Sequence, residues 1–353
     1  MARSTLLPLV FALAACSAQP APAPQPPPVV AVVTPDAATT PVVADAAPPP
    51  EVDAAVALVA DAAVVTAPAD AAAAPSGEHA RTFRGRTEDE WIEAMANRPL
   101  VRVISRHVST AIVYRIELEG GIEIGFKPER PGQEQWWRSE IASYRLARLL
   151  GIENRVPPVV GRRIALRDFG RFAARSSLIS GRDGMVPGSA SVWMPDLHGE
   201  NLHQNPAHHE WVGWINPERD IPEANRERAR QITELLVFDF LMGNYDRWNC
   251  CNIPIDEHGQ LIFRDNDAGW QARILMNVGG PSAIRRLPRS LYAGIQRATA
   301  EALRAEVERD PRAADRLLPN DTYPAYAHRR QVLLDHLQRV IRRYGEDRVF
   351  AWP

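Results

Sequence analysis

The chain has 353 residues, of which 24% are charged, and its formal net charge is only −2 at pH 7. This balance does not indicate a polyanionic partner, so we expect no binding to nucleic acid. Residues 79–353 have the length of one compact domain, and none of their apolar runs is long enough to form a transmembrane helix.

Residues 1–16 have the features of a lipoprotein signal peptide. Arg3 precedes an apolar run from Leu6 to Leu13 that is too short to span a bilayer. The run ends in the sequence LAAC, which resembles the bacterial lipobox, so we expect Cys16 to become the lipidated first residue of the mature protein. Serine at position 17 favours the outer membrane, and an ordinary signal with a cysteine at its cleavage site is the alternative.

Residues 17–78 consist almost entirely of alanine, proline and valine, without any lysine, arginine or aromatic residue. Such a segment cannot bury enough apolar surface to offset the entropy lost on ordering. We therefore expect a disordered tether that spans roughly 3 Å per residue when extended. The predicted organisation is a domain in the bacterial cell envelope whose membrane attachment is through a lipid anchor only.

Lys127 is the only lysine in a chain rich in arginine. Alternating apolar residues over 110–118 and 122–126 predict two strands of a hairpin, with Lys127 at the end of the second. A helix is predicted over 133–150, and Glu140 lies within it. Protein kinases position the phosphates of ATP with a lysine of this kind, paired with a glutamate of the following helix. The alternative is that this single lysine remains by chance and has no functional role.

A group of acids and amides follows the second predicted helix, Glu223–Met242. Asp246 and Asn252 come after this helix, and a short strand predicted over Gln260–Arg264 leads directly to Asp265. Phosphoryl transfer requires one carboxylate that accepts the proton of the attacking hydroxyl, and an aspartate and an asparagine that hold Mg²⁺ or Mn²⁺. Stabilisation of turns, which also favours Asp and Asn, is the alternative.

Three motifs occur in the same order along the chain as in a known family of kinases. They are EIASYRLARLLGIENRVPP at 140–158, FDFLMGNYDR at 238–247 and RDNDAG at 264–269. These motifs resemble the four-jointed and Golgi casein kinase families of secretory-pathway kinases. The resemblance implies an α+β, atypical protein-kinase-like fold of two lobes. The small β-rich lobe would cover about 100–180, and the mainly helical lobe about 181–353.

The resemblance also implies a role for individual residues. Lys127 would contact the phosphates of ATP, and Glu140 would pair with it. Asp246 would be the catalytic aspartate. Asp265, together with Asn252, would hold the metal ion.

The loop around Asn252 leaves several points open. Asn252 lies one residue further from the catalytic aspartate than in the kinase catalytic-loop motif, so Asn249 competes for the metal-binding role. Between them, Cys250 and Cys251 are expected to be small buried loop residues, with a strained disulfide as the alternative. Asp267 either contacts the metal or stabilises a turn.

These features predict a metal-dependent phosphotransferase that uses ATP with Mg or Mn. Its acceptor would be a hydroxyl group of an envelope or extracellular protein, or of a glycan. A pseudokinase that serves as a nucleotide-binding or scaffold module is the main alternative, because ATP is scarce outside the inner membrane. Adenylyl transfer on the same fold is a third hypothesis. The presence of all four of Lys127, Glu140, Asp246 and Asp265 favours an active enzyme.

Overall fold

A five-stranded antiparallel sheet in the first half of the domain positions Lys127. The computed structural model describes residues 82–174, 177–247, 253–270 and 280–353. The elements of this half are β1 Thr82–Phe83, β2 Arg86–Thr87, α1 Glu88–Asn97, β3 Leu100–Val108, β4 Ile112–Leu118, β5 Ile122–Pro128, α2 Trp136–Leu150, β6 Val159–Ala165 and β7 Met185–Val192. In the described part of the chain, the strand order of the sheet is β3-β4-β5-β7-β6.

The predicted hairpin and the helix after it are confirmed. β4 and β5 pair antiparallel, and Lys127 lies in the last residues of β5. α2 ends at Gly151, whose positive φ of 78° is the left-handed conformation typical of a glycine after a helix. The predicted end of the small lobe near residue 180 is too early, because β7 pairs with both β5 and β6. The sheet therefore needs residues up to 192.

Helices dominate the second half of the domain. Helix α4 (Arg226–Met242) forms because apolar residues fill nearly all of its second half, and it ends at Gly243 in the left-handed conformation, with φ 68°. Among the described residues, no helix is both long and apolar enough to cross a membrane. The elements are β8 His198–Gly199, α3 Ala207–Trp214, α4 Arg226–Met242, β9 Pro254–Ile255, α5 Arg289–Arg297, α6 Ala300–Val307, α7 Thr322–Tyr344 and α8 Glu346–Val349.

The short strand predicted over Gln260–Arg264 is wrong. Leu261 makes only an isolated bridge to Ile255, and the backbone N–H of Phe263 donates to the carbonyl of Arg155. Because its hydrogen-bond partners come from different parts of the chain, this segment is not a strand of a regular ladder. It runs as an irregular connection toward Asp265, and only Leu261, Ile262 and Phe263 in it are buried.

Helix α2 belongs to the core of the helical lobe, although it follows a strand of the sheet. Its apolar side chains, among them Trp137, Ile141 and Leu150, pack in the same cluster as those of α4 and α7. The sheet and α1 enclose a separate cluster that includes Trp91 and Phe126. α2 is therefore fixed by the helical lobe while Glu140 reaches the end of β5.

The contact between α2 and α5 depends on a glycine. A Cβ atom at Gly294 would lie 2.5 Å from the carbonyl oxygen of Leu150, which is backbone and cannot rotate away. We expect Gly294→Ala to destabilise the domain by about 1–3 kcal/mol, the usual cost of overpacking, although alanine is the better helix former. Thermal or urea unfolding measures this change.

A second helical glycine supplies the control for this prediction. At Gly213 in α3, the nearest atom to an added Cβ would be Arg219 Nη1 at 3.5 Å, an ordinary contact. Gly213→Ala should therefore leave the free energy of unfolding unchanged or raise it slightly. Equal effects of the two substitutions would contradict the close approach of α5 to α2.

Candidate active site

Three carboxylates surround the ammonium group of Lys127, whose residue is only 8% exposed. Its Nζ donates to Glu140 Oε1 at 2.6 Å, so the ion pair expected from the sequence is present. It also donates to Asp265 Oδ1 at 2.9 Å and to Asp267 Oδ2 at 2.8 Å. We call Glu140, Asp265 and Asp267 the carboxylate triad.

Lys127 and the two aspartates of the carboxylate triad shift one another's pKa values. Burial alone would lower the pKa of Lys127, but the negative triad, Asp265 most of all, outweighs burial and holds that pKa well above its usual value. The Lys127 ammonium in turn lowers the pKa of Asp265. Burial raises the pKa of Asp267 to about 6, and the attraction of Lys127 only partly offsets this effect. The site therefore contains a permanent positive charge among acids that differ in their tendency to ionise.

A tight turn brings two of the three acids to Lys127. We call residues 264–267 the acidic loop. Asp265 has a φ of 57°, which is uncommon for a residue other than glycine but tolerated by aspartate. The backbone N–H of Asn266 donates to Glu140 Oε2 at 3.1 Å, and its side-chain amide donates to the carbonyl of Phe263 at 3.0 Å. The acidic loop is therefore held directly against α2.

Arg247 connects the acidic loop to α4, a role that was not predicted from the sequence. Its side chain is fully buried, and its Nε contacts both carboxylate oxygens of Asp239, at 3.1 and 3.2 Å. Its two terminal nitrogens donate to the carbonyl of Arg264 and to Asn266 Oδ1. The only signal in the sequence was its position directly after Asp246. The contact gives Asp239 a structural role inside α4.

Asp246 lies in the turn that follows α4. Its backbone N–H donates to Asn244 Oδ1 at 3.0 Å, and Asn244 is itself buried. Because the next residue, Arg247, contacts the acidic loop, Asp246 is placed beside that loop rather than on a remote surface. The structure thus brings the four predicted residues of the described chain into one region. Their roles in catalysis and binding remain predictions.

Several predicted residues lie outside the described part of the chain. They are Asn252 and its competitor Asn249 in the loop after Arg247, the neighbouring Cys250 and Cys251, and Cys16 near the N-terminus. The metal-binding role of Asn252 and the lipidation of Cys16 therefore stay predictions.

A cavity of about 250 Å³ opens beside Lys127, between the sheet and the acidic loop. Val113, Val159 and Met194 give it an apolar wall. Trp193 also lines it, and the Arg115 guanidinium lies 5.4 Å from the centre of the Trp193 ring. Such a cavity, apolar on one wall and charged at Lys127 and the acidic loop, has the chemistry that a nucleotide requires for its base and its phosphates.

The carboxylate triad fits a divalent cation. Its three nearest oxygens lie within 4.8 Å of one another, and it is the one group of this kind in the described ranges. Carboxylate oxygens are the ligands that Mg²⁺ and Mn²⁺ prefer. The Asp265 side chain is 46% exposed and lines the cavity. The sequence did not indicate Glu140 as a possible metal ligand, because the kinase pattern assigns it only to the ion pair with Lys127.

Curated proteins show sequence similarity to part of this chain, while no protein-family model matches it. Glycosaminoglycan xylosylkinase of Homo sapiens is 26% identical over an aligned length of 224 residues, and the match covers 50% of this chain and 54% of that protein. Four-jointed box protein 1 of Homo sapiens is 30% identical over an aligned length of 173 residues, and the match covers 42% of this chain and 38% of that protein. The chain thus spans about half or less of the length of these relatives.

Solved structures share the fold over most of the domain. The Golgi casein kinase with Mn and ADP bound superposes with a TM-score of 0.55 and 18% identity, covering 73% of this chain and 77% of that one. Hydra Fam20 with sugar gives a TM-score of 0.52 and 20% identity, covering 73% of this chain and 90% of that one. At these identities the likeness shows the fold alone. The two-lobed, kinase-like α+β fold predicted from the sequence is confirmed.

Proposed function

Because the chain is related to the four-jointed and Golgi casein kinase family of atypical kinases, we propose that it is a metal-dependent phosphotransferase. It would transfer the γ-phosphoryl group of ATP to a hydroxyl of a glycan or a protein. The observation that carries this proposal is the buried ion pair between Lys127 and Glu140, with Asp265 in contact with the same ammonium at 2.9 Å. Kinases need these three groups in place for phosphoryl transfer.

In the proposed reaction, the oxygen of the acceptor hydroxyl forms a bond to the γ-phosphorus while the bond to the β-phosphate oxygen breaks, which releases ADP. Asp246 would orient the hydroxyl and accept its proton. Lys127 would donate hydrogen bonds to the phosphates. Asp265 and Asn252 would hold the metal ion, which neutralises charge on the phosphates when it is bound.

The names of the relatives support the choice of acceptor. One relative is a glycosaminoglycan xylosylkinase, and one solved structure of the same fold contains a sugar. A sugar hydroxyl is therefore the first acceptor to test, and serine or threonine hydroxyls of proteins are the second. Mn is supported as a cofactor by the relative solved with Mn and ADP.

Nucleotide binding and transfer should be measured separately on the purified protein. We expect ATP with Mn²⁺ or Mg²⁺ to raise the melting temperature, and labelled phosphate to pass from ATP to xylose-containing oligosaccharides or to envelope proteins. Absence of nucleotide binding at millimolar nucleotide concentrations would rule out the proposed kinase activity. Nucleotide binding without any transfer would instead support the scaffold alternative. Release of pyrophosphate would indicate adenylyl transfer.

We also propose that the protein is attached to the bacterial cell envelope by a lipid at Cys16. The support is the LAAC sequence at 13–16 and the alanine- and proline-rich segment that follows it. We expect cells fed radioactive palmitate to label the wild-type protein, and Cys16→Ser to abolish that label. Retention of the label in the variant would contradict the proposal.

A further inference from the structure

The Lys127 ammonium occupies the place where a metal ion would contact the carboxylate triad. Its Nζ lies 2.6, 2.8 and 2.9 Å from one oxygen of each acid. Those acids offer oxygens within 4.8 Å of one another, a spacing that also suits a divalent cation. A Mg²⁺ ion would approach the same oxygens to about 2.0–2.1 Å. Two cations cannot both make these contacts, because each would lie within a few ångströms of the other.

We infer that Lys127 is the resident counter-ion of the triad in the nucleotide-free protein, and that a divalent metal must compete with it for the same oxygens. The inference rests on the metal-dependent function proposed above. It adds that metal affinity is low until Lys127 withdraws from at least one acid. The ammonium would then act both as a ligand for phosphate and as an internal inhibitor of metal binding.

The contact to Asp265 is the one that should open first. The Asp265 side chain is 46% exposed, whereas those of Lys127 and Asp267 are only 10% exposed. Glu140 is fixed at its second oxygen by the backbone N–H of Asn266. A nucleotide in the adjoining cavity would offer phosphate oxygens to Lys127 and so release Asp265 for the metal. Metal and nucleotide would therefore favour each other's binding through Lys127.

Removal of the ammonium tests this competition directly. We expect Lys127→Met to raise the affinity of the nucleotide-free full chain for Mn²⁺ by about tenfold, within the usual range for coupled sites. Lys127→Arg keeps the positive charge and should leave Mn²⁺ affinity low. Electron paramagnetic resonance of free Mn²⁺ measures the dissociation constant without ATP and without any activity assay.

A charge-matched control excludes a general electrostatic effect. Arg115 pairs with Glu123 on the sheet at 2.6 Å and does not contact the triad. Arg115→Gln removes one positive charge and should change Mn²⁺ affinity far less than Lys127→Met does. Unchanged or weaker Mn²⁺ binding in Lys127→Met would overturn the inference, as would equal gains in the two variants.

The wild-type protein provides a second test, which holds even if Lys127→Met does not fold. Lys127 is the only lysine of the chain, so an amine-reactive reagent labels one side chain besides the N-terminal amine. We expect saturating Mn²⁺ to speed labelling of Lys127 several-fold, because the metal displaces a buried ammonium from its acids. Mass spectrometry of the Lys127 peptide gives the rate, with the N-terminal amine as internal reference.

The labelling experiment tests the competition between Lys127 and the metal independently of whether the protein is an active kinase. An unchanged labelling rate at a Mn²⁺ concentration that saturates binding would overturn the competition, even in an active kinase. Faster labelling would support it, even if no acceptor were ever phosphorylated. Absence of any Mn²⁺ binding to the wild type and to Lys127→Met would overturn it as well.

Discussion

Asp246→Asn should reduce phosphoryl transfer by about 10²- to 10⁴-fold, the usual contribution of a general base. The amide has the shape of the carboxylate but cannot accept the proton of the attacking hydroxyl. The hydrogen bond from residue 246 to Asn244 should survive, because its donor is the backbone N–H. Turnover measured at saturating ATP and acceptor should therefore fall, while stabilisation by nucleotide and metal stays close to that of the wild type.

Asp220→Asn is the matched control for this experiment. The Asp220 side chain is 95% exposed, and it forms a surface ion pair with Arg348 at 2.9 Å. Its substitution should leave turnover unchanged. A wild-type rate in Asp246→Asn would contradict the catalytic assignment, and loss of nucleotide binding in that variant would show that Asp246 has a structural role instead.

Arg247→Met should destabilise the domain by about 3–5 kcal/mol, which is typical when one partner of a buried ion pair is removed. The substitution leaves the buried carboxylate of Asp239 without its guanidinium partner. It also removes the hydrogen bonds to the carbonyl of Arg264 and to Asn266 Oδ1. Chemical unfolding measures the stability, and transfer activity should fall as well because the acidic loop loses its connection to α4.

The stability lost in Arg247→Met should depend on pH. Burial already raises the pKa of Asp239 to about 6 in the folded wild type, although Arg247 opposes this effect. Without Arg247 that pKa rises further, and an acid with a raised folded pKa stabilises the folded state as pH falls. The destabilisation should therefore be smaller at pH 5 than at pH 8. Equal losses at both values would contradict a charge-based cause.

A surface arginine serves as the control for Arg247. Arg348 is 54% exposed and pairs with the exposed Asp220. Arg348→Met should lower the free energy of unfolding by at most about 1 kcal/mol, as is usual for exposed pairs.

A double-mutant cycle tests the contact between Arg247 and Asp239 itself. Arg247→Met combined with Asp239→Asn should give a coupling energy above about 0.5 kcal/mol, since the two residues are in contact.

The parts of the fold that follow local rules were predictable from the sequence. The hairpin that ends at Lys127 has alternating apolar residues, and α2 and α4 are closed by Gly151 and Gly243, both in the left-handed conformation. The order of Lys127, Glu140, Asp246 and Asp265 along the chain also indicated the candidate active site.

The contacts that complete the site depend on parts of the chain that are distant in sequence. Asp267 contacts Lys127 although the two residues are 140 positions apart, so the neighbouring sequence could not show whether Asp267 stabilises a turn or belongs to the site. The burial of Arg247 depends on Asp239 and Asn266 together. The segment before the acidic loop has a short apolar run, Leu261 to Phe263, that suggested a strand, but the backbone partner of Phe263 is the distant Arg155. Local periodicity contains no information about such partners.

The placement of α2 restricts how the protein can be regulated. In many protein kinases the equivalent helix moves away from the lysine, and this movement switches the enzyme off. Here α2 contributes to the core of the helical lobe, Gly294 lies against its last residue, and Glu140 is bonded to the acidic loop. Rotation of α2 would expose that core to water. Regulation would therefore have to act on the supply of nucleotide, metal or acceptor, and not on the position of this helix.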